Sequence, residues 1–167
     1  MILDLFAGPG GWSEGLRAHG LTDVGIEHDL AACQTRVAAG HLTIRADVST
    51  YPKDPFVGKV EGLIASPPCT DFSIAGKGAG VKGDTGRLIL EVPRWVEALQ
   101  PRWVACEQVP PALPWWEYFA ADFREIGYMT WTGCLNAANY GVPQTRTRAF
   151  LLASRDRQPV PPTATHD

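Results

Sequence analysis

Cysteine is scarce in this chain of 167 residues, and the four that occur, Cys33, Cys69, Cys106 and Cys134, stand far apart. No two are close enough for a zinc knuckle or a CxxC redox pair, which excludes both kinds of site. Disulfide staples are not needed either, because a domain of about 150 residues buries roughly 68–70% of its unfolded surface. No apolar run approaches the roughly 20 residues that cross a bilayer, and the amino terminus lacks the basic region of a secretory signal. Excess positive charge is missing as well. A net charge of −3 argues against a surface that grips nucleic acid everywhere, while leaving room for a local basic lip. Repeats and low-complexity segments are absent. The expectation is one soluble domain in an intracellular, cytoplasmic setting.

What the chain does have is an alternation of short apolar runs and helical stretches. "MILDLF" (1–6) reads as a strand, "AGPGGW" as a turn, and 13–19 as a helix ended by Gly20. Further strands are read at 23–27, 42–47, 60–66, 102–109, 128–135 and 149–154, with helices at 30–39, 87–99 and 114–127. Such alternation predicts an α/β fold, a mostly parallel sheet with helices on both faces. Ligands of these sheets sit beyond the carboxyl ends of the strands. Asp4, Glu27, Asp47, Cys69 and Glu107 all fall at or just past those ends.

"DLFAGPGGW" (4–12) places Gly8, Gly10 and Gly11 where the backbone can approach a ligand closely. The run lacks the full GxGxxG spacing and no Walker lysine follows it, so a nucleoside without phosphates fits better than a dinucleotide. Glu27, about twenty residues on, is placed to accept from ribose hydroxyls, and Asp47 from an adenine amino group. Either carboxylate taken alone reads rather as a solvated loop residue or a helix cap. Three such features at successive strand ends make the stronger pattern.

In "SPPCTDFSIAGKG" (66–78), Pro67 and Pro68 fix two torsions and hold Cys69 at a stiff corner. A thiolate there is a strong nucleophile toward a ring carbon. No histidine is near it in sequence, which weakens a protease-type pairing. Cys33, Cys106 and Cys134 read as small buried residues.

"DLFAGPGG", "PPCTDFS", "CEQV" and "NAANYGVPQTRTR" (136–148) together resemble, in order, the motifs of the DNA cytosine-5 methyltransferases. The resemblance runs from residue 1 to about 154. It implies a Rossmann-like methyltransferase fold that uses S-adenosyl-L-methionine to methylate carbon 5 of a cytosine flipped out of DNA, as in restriction-modification systems of prokaryotes or phages. By carry-over, Cys69 is the nucleophile that adds to carbon 6, and Glu107 the proton donor near ring nitrogen 3. Arg148 holds the cytosine carbonyl oxygen, Arg146 supports the pocket and Gln144 braces its loop. Phe6 stacks near the adenine, and Pro68 and Leu88 line the cofactor pocket. Residues 73–87, with Lys77, Lys82 and Arg87, resemble the family's active-site loop.

Two departures stand out. The family usually has Asn after the catalytic Glu, where this chain has Gln108, and the extra methylene is expected to shift the loop. Residues 1–157 read as the catalytic domain and 158–167 as a linker-like tail. The family's target-recognition domain and its closing segment do not appear. The resemblance therefore implies a fragment or one half of a split enzyme, with a second polypeptide reading the DNA. Two other readings stay open: an amino-group DNA methyltransferase, whose motif resembles "SPPY", and a degenerate DNA-binding relative without turnover.

Overall fold

The computed structural model describes residues 1–68 and 86–166. Cys69, Lys77 and Lys82 lie outside the described residues, so the reading of the active-site loop is carried there by Arg87 alone.

Among the described residues seven strands form one sheet: β1 (Ile2–Leu5), β2 (Asp23–Glu27), β3 (Leu42–Arg45), β4 (Gly62–Ala65), β5 (Trp103–Gln108), β6 (Met129–Asn136) and β7 (Thr147–Ser154). Their order is β3-β2-β1-β4-β5-β7-β6. Every pairing up to β4–β5 is parallel, and β7 runs antiparallel between β5 and β6. All four residues of β1 and of β4 are buried, as strands covered on both faces must be.

Four α-helices among the described residues accompany the sheet: α1 (Gly11–Ala18), α2 (Leu30–Ala38), α3 (Glu91–Leu99) and α4 (Leu113–Glu125). One face carries the main core, where Leu3, Leu5, Leu63, Val104 and Leu151 meet Trp95 of α3 and Trp116 and Phe119 of α4. On the other face Ile2, Ile64 and Ala105 meet Trp12 and Leu16 of α1. The expected doubly covered, mostly parallel sheet is what forms. The helix read at 87–99 begins instead as a 3-10 turn, Gly86–Leu90, before α3. Pro93 explains this, since a residue without an N–H must stand in the first turn of an α-helix. Strand β7 starts two residues earlier than the apolar run, which brings Arg148 into the ladder opposite Leu135. Cys134, read as buried, is exposed. It lies on the edge strand β6, which has a neighbour on one side only.

A charged cluster occupies the space between α2 and the first three strands. The Arg36 side chain is wholly buried there, as is that of Asp4, and that of Asp23 is nearly so. Its guanidinium pairs with Asp23 at 3.0 Å and lies 3.8 Å from Asp4. It also donates to the carbonyls of Ala7 and Leu42, each at 3.3 Å. Ser13 of α1 donates to the same Asp23 carboxylate at 2.9 Å. Gly25 makes the room: a Cβ there would meet Arg36 Nη2 at 2.2 Å. Both Asp4 oxygens lack a hydrogen-bond partner among the described residues. Burial, and then the Asp23 charge, push the Asp4 carboxyl well above the ordinary carboxylate range, against the pull of Arg36.

Two expectations follow from this cluster. Gly25→Ala must displace the guanidinium, and breaking a buried pair costs about 3–5 kcal/mol. Thermal denaturation of that variant is expected to show Tm lowered by on the order of 10 °C. Asp4→Asn acts the other way. An acid whose folded pKa is raised contributes stability below its unfolded value, about 3.9, and loses it as pH rises through the folded value. The Asn variant is therefore expected to melt higher than the parent at pH 7, with the difference shrinking as pH falls toward about 4. A difference that grew on acidification would contradict the burial argument.

Candidate active site

The glycine turn after β1 is held in an unusual conformation. Phe6 has φ +58°, a left-handed geometry that costs a side-chain-bearing residue about 1–3 kcal/mol. Its neighbours fix it. The Ala7 N–H donates to the Ile26 carbonyl at 3.1 Å, Arg36 holds the Ala7 carbonyl, and the Gly8 N–H donates to Glu27 Oε2 at 2.8 Å. Gly8 is itself at φ +53° and Gly10 at +110°, while a Cβ on Gly8 or Gly11 would meet nothing within 4 Å. The turn thus presents bare backbone to an open space. Gly10 caps α1 without any side-chain hydrogen bond, which leaves the first N–H groups of that helix for other partners.

Glu27, at the end of β2, is almost buried. Its Oε1 accepts from the N–H groups of His28 and Asp29, both at 2.8 Å, and Oε2 from Gly8. Oε1 also faces the His28 ring nitrogen at 3.1 Å, so the free acceptor position among the described residues is on Oε2, whose one partner is Gly8. Asp47, two residues past β3, accepts from the Ser49 N–H at 2.8 Å and hydroxyl at 2.7 Å, both on Oδ1. Those two bonds, the hydroxyl's first, hold the Asp47 carboxyl below its usual range. Phe6, Glu27, His28, Asp47, Pro68 and Leu88 share a small cleft of about 70 Å³. All the residues read from the sequence as lining the nucleoside half, other than the glycines, are therefore gathered in one place.

A second cleft, of about 570 Å³, opens on the other side of Phe6. Gly8, Gly11, Trp12 and Ser66 line it together with Glu107, Arg146, Arg148 and Phe150, and the Trp12 and Phe150 rings meet edge to face. Glu107 stands near the end of β5 and pairs with Arg148 Nε at 2.9 Å and with Arg146 Nη2 at 3.9 Å. Asn136 shapes the arginine segment. Its side-chain oxygen accepts from the N–H groups of Arg146 and Ala138, at 3.1 and 3.3 Å. Gln144, expected to brace this loop, contributes a backbone bond to the Val142 carbonyl at 2.7 Å. A still larger hollow, about 670 Å³, lies at the amino end of β5 beside Trp103, Leu152 and Gln158. It contains none of the residues singled out from the sequence.

The two thiols in the core are unsuited to chemistry. Burial pushes Cys106 far up and Cys33 up as well. No group of three or more His, Cys, Asp or Glu that could hold a metal ion occurs among the described residues. No helix among them is long and apolar enough to cross a membrane.

Sequence reading missed two supporting residues, Arg36 and Trp12, and named a third, Gln108, only as a departure from the family's pattern. Arg36 was hidden inside an otherwise unremarkable helix, although Gly25 in mid-strand signals a close approach. Trp12, whose indole N–H donates to Ser66 Oγ at 2.8 Å, ties α1 to the segment after β4. Gln108 reaches the same segment from β5, with its amide nitrogen 2.9 Å from the Pro67 carbonyl oxygen.

Comparison with known proteins finds relatives of the whole described fold. The Type II methyltransferase M.DdeI of Desulfomicrobium norvegicum is 32% identical over 95% of this chain and 41% of its own length. The Type II methyltransferase M.AquIA of a Picosynechococcus strain is 30% identical over 92% of this chain and 71% of its own. The chain thus spans less than half of M.DdeI. Among solved structures, the methyltransferase EhMeth of Entamoeba histolytica superposes with a TM-score of 0.82 at 13% identity, over 99% of this chain and 56% of that one. That likeness is one of fold. The pattern described as C-5 cytosine-specific DNA methylase matches residues 1–167, and the chain belongs to that family.

Proposed function

We propose that this chain forms the catalytic part of an enzyme that methylates carbon 5 of cytosine in DNA, with Cys69 as the covalent nucleophile. One observation carries the reading. In a chain of this family, Glu107, Arg146 and Arg148 converge on a cleft that adjoins the glycine turn.

The residues present fit S-adenosylmethionine. Glu27 keeps one acceptor site for a ribose hydroxyl, and Asp47 Oδ2 has no hydrogen bond among the described residues. Pro68 and Leu88 supply apolar walls for a purine, with Phe6 beside them. The uncapped end of α1 suits a carboxylate. Bound there, the cofactor supplies an electrophilic methyl group.

The chain's own residues do the rest. The Cys69 thiolate adds to carbon 6 of the cytosine, and the ring's electron pair shifts toward nitrogen 3, where Glu107 donates a proton. Carbon 5 is then nucleophilic enough to take the methyl group. Loss of the proton from carbon 5 to a base from solvent restores the ring double bond and expels the thiolate, and nitrogen 3 returns its proton to Glu107. Arg148 turns from Glu107 toward the carbonyl oxygen of the base, and Arg146 keeps positive charge beside both. The target base must leave the duplex to reach this cleft. Sequence choice is assigned to polypeptide outside the shared region, because phosphate contacts position and base contacts specify.

DNA carrying 5-fluorocytosine at the target is expected to trap a covalent adduct on Cys69, since fluorine cannot leave as a proton does. Cys69→Ser should abolish adduct and methylation alike and leave cofactor affinity nearly intact. Methyl transfer surviving in that variant would end the mechanism.

The two carboxylates are expected to separate. Asp47→Ala should weaken cofactor binding by about 1–2 kcal/mol, read by calorimetry. Glu107→Gln should leave that affinity unchanged and slow single-turnover methylation. Equal losses of cofactor affinity in both variants would refute this division of the pocket.

A further inference from the structure

The segment that leads to Cys69 has an unusual problem. Pro67 and Pro68 carry no N–H groups, so only their carbonyl oxygens can be tied down. Both are tied by one side chain. The Gln108 amide nitrogen lies 2.9 Å from the Pro67 oxygen and 3.3 Å from the Pro68 oxygen. The other end of that amide is also spoken for, because Gln108 Oε1 accepts from the Val109 N–H at 2.7 Å. This second bond fixes which way the amide faces, so its two N–H groups must point at the prolines. Gln108 is 2% exposed, which leaves no water to compete.

Ser66, just upstream, is held from other directions. Its N–H donates to the Leu5 carbonyl at 3.3 Å, and its hydroxyl accepts from Trp12 at 2.8 Å. Residues 66–68 are thereby bonded to β1, to α1 and to β5, each through a different group. Of these ties, only the one from Gln108 reaches the residue bonded to Cys69.

Strand alternation gives the tie its importance. Glu107 and Gln108 are consecutive in β5, so their side chains leave on opposite faces. Glu107 enters the cleft to meet Arg148 while Gln108 grips the proline pair. One strand end therefore sets the place of the acid and of the nucleophile's mount together. Asparagine, one methylene shorter, would fall about 1.5 Å short of these carbonyls from the same backbone position.

We propose that Gln108 is a positioning residue, which fixes the mount of Cys69 relative to Glu107. The longer amide, expected from the sequence to disturb the loop, is on this view what fits the loop to this strand end. The inference rests on the reading of Cys69 as the nucleophile.

The test uses the full-length protein and three variants. Gln108→Met keeps the bulk and removes both donors. Gln108→Glu keeps the length and turns an acceptor toward the carbonyls. Gln108→Asn keeps the donors on a shorter stem. Two quantities are read: the single-turnover methylation rate with the cofactor Kd, and the iodoacetamide alkylation rate of Cys69 relative to Cys134, resolved by peptide mass spectrometry from pH 7 to 9. Cys134 is exposed and serves as a reference within the same molecule, while Cys33 and Cys106 are buried.

The Met and Glu variants are expected to methylate about tenfold or more slowly, since a displacement near 1 Å can cost on the order of 100-fold. Their cofactor Kd should stay within about twofold, the Cys69-to-Cys134 ratio should change by about threefold or more, and Asn should fall between them and the parent. A Met variant with the parent's rate and alkylation ratio would overturn the proposal. Should Met fail to fold, the Asn variant decides: parental values in both measurements would overturn it equally. Cys69→Ser separates the two levels of inference. If it abolishes methylation while the Gln108 variants behave as the parent, positioning fails alone. If it does not, the nucleophile reading fails and takes this proposal with it.

Discussion

The Arg36 guanidinium, sealed between α2 and the first three strands, is the contact on which the cofactor half of the molecule depends. It bonds to Asp23 on β2, to the Leu42 carbonyl at the start of β3 and to the Ala7 carbonyl in the glycine turn. Isolated, a buried guanidinium is costly. Here the Asp23 carboxylate pairs with it at 3.0 Å and the Ala7 and Leu42 carbonyls accept from it, so the charge is compensated and its geometry fixed. The turn that follows inherits this fixity. Phe6 stays at positive φ because the residues on either side of the turn are anchored, one set by Arg36 and one by Glu27. The strain sits where the two clefts meet, since Phe6 lines both.

Most of the architecture was legible because its signals are local. Apolar runs, glycine stops and the Pro114 start mark strands and helices to within a few residues of where they form. The site was legible in part for a related reason: carboxylates at strand ends are gathered by any parallel sheet, so Glu27, Asp47 and Glu107 needed no knowledge of packing. What could not be read were the contacts between elements distant in sequence. Arg36 is a helix residue whose partners lie on three strands, and only Gly25 hinted at it. Gln108 looked like a defect because its partners, the carbonyls of Pro67 and Pro68, lie about 40 residues upstream. Cys134 looked like a core residue because its strand is apolar, and a sequence does not say which strand will be the edge. In each case the residue type was visible and the neighbour was not.

The reversed strand completes the site. A parallel strand in the place of β7 would reach the carboxyl ends of the sheet only at its own last residue. Running antiparallel, β7 begins there instead, so the arginine segment that precedes and opens it stands beside the end of β5. Phe150 pairs with Glu107, and Arg148 follows two residues nearer the strand's start, within 2.9 Å of the Glu107 carboxylate. On the proposed reaction, nitrogen 3 and the carbonyl oxygen of cytosine are neighbouring acceptors on one edge, and Glu107, once it takes up a proton, and Arg148 are the two donors that meet them. In the free chain the two groups satisfy each other across the cleft wall. On that reading a base exchanges the ion pair for its own two contacts as Glu107 is protonated, and the guanidiniums of Arg148 and Arg146 already stand beside the acid. The topology of one strand and the chemistry of one base edge are in this way the same constraint.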